Sequence, residues 1–175
     1  MRREAQAVAA PTSPKSAKLG GTGPDRQWRG WPGPSAPGET RTTMTTNYTA
    51  TFITASPDST ATAGMMPAKA NSIAQLQHAL LTRHPYHYTS DDLLFEVYAI
   101  RNGIAPRDRK PAREAFFARP QACLRASPLV KQFGWGIHHD AESKVAIHGV
   151  DSETYRELIA RADLKIVAGM RSRRA

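Results

Sequence analysis

Apolar positions fall into short periodic runs from residue 48 onward, whereas residues 1–43 show no period. The strand-forming content of residues 48–55 predicts a first strand. Pro57, Gly64 and Pro67 break residues 56–70 into a loop. Ile73, Leu76 and Leu80 recur at helical spacing behind a capping Asn71 or Ser72, and His84-Pro85 ends that helix. A second helix starts at Thr89 or Ser90, carries Leu93, Leu94, Val97, Ile100 and Arg101 alternating between core and surface, and closes at Asn102-Gly103. Asp91 and Asp92 sit in its first turn, where carboxylates meet free N–H groups, so a capping role outweighs a catalytic or metal role for this pair. A third helix spans residues 111–118 with Phe116 and Phe117 as core, and residues 121–133 are partly helical with a break before Pro128. A hairpin over 134–149, a helix over 152–162 with Tyr155, Leu158, Ile159 and Ala162 on one face, and a last strand in "LKIVAGM" complete the chain. Strands and helices without regular alternation predict an α+β fold, a small antiparallel sheet with helices packed mainly on one face.

The hairpin "GWGIHHD…KVAIHGV" concentrates the reactive side chains, and its register decides which of them share a face. A two- or four-residue loop sets His139 opposite Lys144 and gives chemically mixed faces. A three-residue loop, Ala141-Glu142-Ser143, sets Asp140 opposite Lys144, His139 opposite Val145 and Ile137 opposite Ile147. It segregates Trp135, Ile137, His139, Val145 and Ile147 from Gly136, His138, Ala146 and His148, and is the preferred register. Its weak point is Ser143, which must turn left-handed where glycine turns more easily. His138 and His139 then point to opposite faces. His139 becomes a partly buried, satisfied histidine, and His138 and His148 become diagonal neighbours on a solvated polar face.

Composition alters this picture at the N-terminus. Residues 1–43 are rich in Gly and Pro and read as a disordered extension, because so little apolar surface cannot offset the backbone entropy of ordering. Trp28 and Trp31 are isolated anchors at most. The change of texture at Met44 suggests a domain over 44–175 that begins there, with residues 1–43 the product of an upstream start assignment. No secretory or mitochondrial signal is read in "MRREAQAVAAPTSPKSAK", no run is long and apolar enough for a membrane helix, and the single cysteine excludes an internal disulfide. Cytoplasmic location is therefore expected. Of the net charge of +9, residues 1–43 supply seven basic against three acidic side chains, or +4, leaving +5 for the rest. Such a charge attracts polyanions without specificity.

Candidate chemistry is sparse. Cys123 is a possible thiolate nucleophile if a base or cation lowers its pKa, with Arg119 and Arg125 close in sequence, but a lone cysteine between Ala122 and Leu124 is more often core. His138 and His148 can share a proton or an ion, yet no third ligand is identifiable for zinc, so no metal and no cofactor are expected. Arg119, Arg125, Lys131 and the C-terminal arginines, with Trp135 and Tyr88, can line an anionic pocket or meet RNA. No phosphate-binding loop, nucleophile elbow or nucleic-acid recognition motif occurs.

The phrases "TTNYTATFI", "HPYHYTSDDLLFEVYAIRNGI", "QACLRASPLVKQFGWGIHHD" and "MRSRR" resemble an uncharacterised family of bacteria and some fungi, a domain of unknown function. The resemblance spans Met44 to Arg174. It implies a domain starting near "TTNY" and no particular activity. The expected role is non-catalytic: binding a small anionic molecule or a protein partner through Arg119, Arg125 and Trp135. The alternatives are an enzyme using Cys123 or a His138/His148 site, and nucleic-acid binding through basic residues.

Overall fold

The computed structural model describes residues 45–172. The expected disordered extension, the Met44 boundary, Trp28, Trp31 and the last three residues of the basic tip lie outside the described residues. Four strands, β1 (Thr51–Thr54), β2 (Trp135–His139), β3 (Val145–Gly149) and β4 (Lys165–Ala168), form one sheet in the order β3-β2-β1-β4. Five helices accompany it: α1 (Ile73–Arg83), α2 (Ser90–Arg101), α3 (Arg109–Phe117), α4 (Pro128–Gln132) and α5 (Glu153–Ala160). The fold is α+β, as the pattern predicts.

The sheet is mixed rather than wholly antiparallel. β1–β2 and β2–β3 are antiparallel, but β4 pairs with β1 in parallel. The chain leaves β3 at one edge and re-enters at the other through α5, and a crossover of that kind returns the strand in the same direction. β1 is also shorter than the predicted 48–55, because Ala50 takes φ +43° and interrupts the extended backbone before Thr51.

Helices cover both faces unequally. On one face, Ile53, Ile137 and Val145 of the sheet are buried with Leu81 of α1, Leu93 and Val97 of α2, and Val130 of α4. On the other, Phe52 packs against Tyr155 and Leu158 of α5 and against Leu164, with the Phe52 and Tyr155 rings edge-to-face at 5.0 Å. A fully buried side chain of these types contributes about 1.5–3 kcal/mol. A third cluster joins Phe95 and Ala99 of α2 to Phe116 and Phe117 of α3. Arg113 clamps it, lying 5.5 and 5.1 Å from the Phe95 and Phe117 ring centres and pairing with Asp92 at 2.9 Å. Ile159, read on the apolar face of its helix, is exposed instead, and Ile100 is a surface position of α2. In α2 the buried apolar residues are Leu93 and Val97 toward the sheet and Phe95 and Ala99 toward α3, which leaves Ile100 facing out.

The helix ends follow their capping residues. Ser72 accepts from Gln75 N–H at the start of α1, and Ser152 accepts from Tyr155 N–H at the start of α5. Thr89 and Asp92 form a reciprocal capping box on α2. Asp91 accepts from Thr46 N–H at 2.8 Å and from the hydroxyls of Thr45 and Thr46, tying the segment before β1 to α2. The first-turn aspartates are therefore structural.

Candidate functional site

The hairpin adopts the three-residue register. His139 opposes Val145, His138 opposes Ala146, and Ile137 opposes Ile147. Ser143 pays for the short turn with φ +64°. The charge pair expected across the turn does not form. Asp140 Oδ1 accepts from the backbone N–H groups of Glu142 and Lys144, at 3.0 and 2.7 Å, and the Lys144 ammonium donates to the His87 carbonyl at 3.0 Å. Backbone donors fixed by the turn outcompete a flexible side chain for that carboxylate.

On the core face, His139 has no exposed surface. Its Nε2 shares a 3.0 Å hydrogen bond with Ser90 Oγ, and Nδ1 makes none. Burial pushes its pKa down to about 4, so the ring is neutral at physiological pH. The Tyr48 ring stands edge-on to it at 5.3 Å. The Tyr48 hydroxyl in turn donates to Cys123 Sγ at 3.4 Å, and burial raises its pKa. Cys123 thus faces a phenol, and His139, which that phenol ring meets edge-on, has its Nε2 engaged with Ser90.

The opposite face differs from the expected solvated one. His138 keeps 7% of its surface exposed, covered by Tyr86 and lying near Phe52. Tyr86, from the α1–α2 connection, holds its hydroxyl 2.9 Å from His138 Nδ1 and 3.4 Å from His148 Nε2. The two imidazole centres are 6.5 Å apart. Tyr86 has φ +56°, a conformation costly for a bulky residue, and its N–H donates to Val145 O at 2.9 Å. That bond anchors the turn to β3 and sets the phenol over the two rings while leaving Tyr86 40% exposed.

Electrostatics and protons agree on the state of this cluster. Burial lowers the pKa of both histidines, Arg161 adds to the effect on His138, and His138 adds to that on His148. Burial raises that of Tyr86. Neutral imidazoles suit the geometry, because one can accept the phenol proton while the other donates its own to the phenol oxygen. His138 Nε2 is buried without a hydrogen-bond partner. Arg161 and Asp163 pair in the turn after α5, and both act electrostatically on His138.

The remaining candidates are distributed. Trp135 donates to Met65 O at 2.8 Å and meets His78 edge-on at 5.0 Å, fastening the 56–70 loop to the sheet. Arg125 donates from Nε to Ala168 O at 3.0 Å beside β4 and acts on Tyr48. Arg119 follows α3, and its carbonyl accepts from Gln121. Tyr88 stacks edge-on with His84 and His87. The described contacts bring His138 together with His148, and Cys123 together with Tyr48. They join Trp135 to neither Arg119 nor Arg125. Tyr86 is the cluster member that sequence reasoning missed. Its only local signal is its place after Pro85 in "HPYHY", a tight connection between two helices.

No three His, Cys, Asp or Glu side chains converge among the described residues, and no helix among them is long and apolar enough to cross a membrane. Compared with known proteins, residues 43–175 match the model of a family described as "Family of unknown function (DUF6157)". No curated protein and no solved structure matches the chain.

Proposed function

The chain belongs to that family of unknown function, and we propose from geometry that it is a binding domain whose ligand site is the Tyr86–His138–His148 cluster. The observation that carries this reading is a phenol held in a constrained turn against two neutral imidazoles on a partly exposed face. Perturbed titratable groups gathered in this way mark functional sites more often than chance. His138 Nε2, buried and unpaired, adds a bonding capacity that the protein itself leaves unmet. A thiol mechanism gains no comparable support, since Cys123 is paired with Tyr48. The expected anion pocket of Arg119, Arg125 and Trp135 gains none either, because Trp135 and Arg125 have separate partners.

The test is side-chain NMR of the histidines in the full chain with acetate, phosphate and acetamide as probes. The reading expects the His138 and His148 ring signals to move with at least one probe and to stay fixed in Tyr86→Phe. It is overturned if those signals ignore every probe while others shift, such as those of the groove of about 590 Å³ beside α1 that Met66 and His78 help to line.

A further inference from the structure

Three side-chain atoms with lone pairs converge over the β2–β3 face. The Tyr86 oxygen stands 2.9 Å from His138 Nδ1 and 3.4 Å from His148 Nε2. Neighbouring ligands bound about 2.0–2.1 Å from one ion lie about 2.9–3.3 Å from each other, close to both phenol–imidazole spacings, while ring centres 6.5 Å apart keep the two imidazole nitrogens at least about 4 Å from each other, so the histidines would take opposite positions of a planar set. The donors come from rigid elements. His138 and His148 lie on adjacent paired strands, and Gly136, two residues before His138, is the cross-strand partner of His148. Tyr86 is fixed by its backbone bond to Val145. When His138 Nδ1 accepts the phenol proton, its own proton resides on Nε2, which is the tautomer that ligates through Nδ1.

We propose that His138 Nδ1, His148 Nε2 and the Tyr86 oxygen form a three-ligand site for a divalent first-row transition metal ion. This rests on reading the cluster as the ligand site and names the ligand's chemical class. On binding, His148 shifts its proton from Nε2 to Nδ1 by exchange with water, which frees the Nε2 lone pair, the Tyr86 O–H bond breaks, an oxygen–metal bond forms, and the phenol proton leaves to water with no change of oxidation state. Imidazole suits zinc, nickel and copper, and copper(II) binds a given nitrogen and oxygen set most tightly. Three protein ligands leave a coordination position open for water or a small anion.

The experiment titrates the chelator-treated full chain with copper(II), and separately with zinc(II), by calorimetry and visible absorption. One ion per chain is expected, with a phenolate-to-copper absorption band. His148→Asn, at a half-buried position, weakens binding more than about 100-fold, beyond the range of outer-shell losses. Tyr86→Phe abolishes the band and the accompanying proton release. His84→Asn/His87→Asn, an exposed pair outside the cluster, leaves both intact. The proposal is overturned if no ion binds at micromolar metal, or if binding survives His148→Asn and is lost in the His84/His87 variant. Should metal fail while the organic probes still move the His138 and His148 signals, only the metal assignment falls. If neither moves them, the ligand-site reading falls as well.

Discussion

His139 and His138 are sequence neighbours with different physical lives. His139 faces the core with no exposed surface, and its pKa falls from 6.5 to about 4. Between those values the unfolded chain binds a proton that the folded chain refuses. Stability is therefore full above pH 6.5 and declines as pH falls toward 4, by an amount on the order of 2–4 kcal/mol over the whole interval. Tyr48, Ser90, His138 and Asp140 surround or act on this ring, and lowered values at His78, His138 and His148 give slopes of the same sign. Urea unfolding at a series of pH values checks it. A midpoint flat from pH 7 to 4.5 would contradict the burial argument. Ser90→Ala removes the sole hydrogen-bond partner of a buried Nε2 and should cost about 1–3 kcal/mol at neutral pH. Sequence assigned the two histidines to opposite faces correctly through side-chain alternation. It did not show that both are buried, because Ser90 of α2 and Tyr48 meet His139 while Tyr86 and Phe52 meet His138.

At the scale of the element, the local chemistry written into the chain is largely what folds. Ser143 at φ +64° is the strained position that the three-residue turn demands. Glycine there relieves a left-handed cost of roughly 1–2 kcal/mol but gains entropy when unfolded, so Ser143→Gly should stabilise by up to about 1 kcal/mol. Thermal unfolding would show this as a raised Tm, and a lowered one would mean that the Ser143–Thr49 hydroxyl contact outweighs the strain. Thr89→Ala deletes one half of the α2 capping box and should cost about 1 kcal/mol. Asp92 also pairs with Arg113, so the same helix end secures α3, and the loss should exceed that of Ser72→Ala on α1. Chemical denaturation of the two variants side by side decides the order. Caps, breakers and the turn were legible because each involves residues within a few positions of one another. The end of β1 at Ala50 and the exposure of Ile159 were not, since they depend on what each element meets in space.

For the molecule as a whole, the sheet sits between unequal layers, and Gly136 marks where the thinner one closes down. A β-carbon on Gly136 would lie 2.6 Å from atoms of both Phe52 and Tyr155. Gly136→Ala should therefore destabilise by about 1–3 kcal/mol through displacement of α5, measured as a lower denaturation midpoint. An unchanged midpoint would mean that α5 is held less tightly than its packing indicates. The partners that Gly136 packs against are Phe52, some eighty residues upstream, and Tyr155 beyond the hairpin. The parallel entry of β4, the cover of α5 and the arrival of Tyr86 over His138 and His148 likewise join segments far apart in the chain. Sequence by itself determined the α+β class, the helix caps, the hairpin register and the opposite facing of His138 and His139, all consequences of short-range periodicity and turn chemistry. Only the tertiary structure decided that a tyrosine from the α1–α2 turn completes the histidine pair. Side-chain convergence across fifty residues and more is set by packing, and no local pattern encodes it.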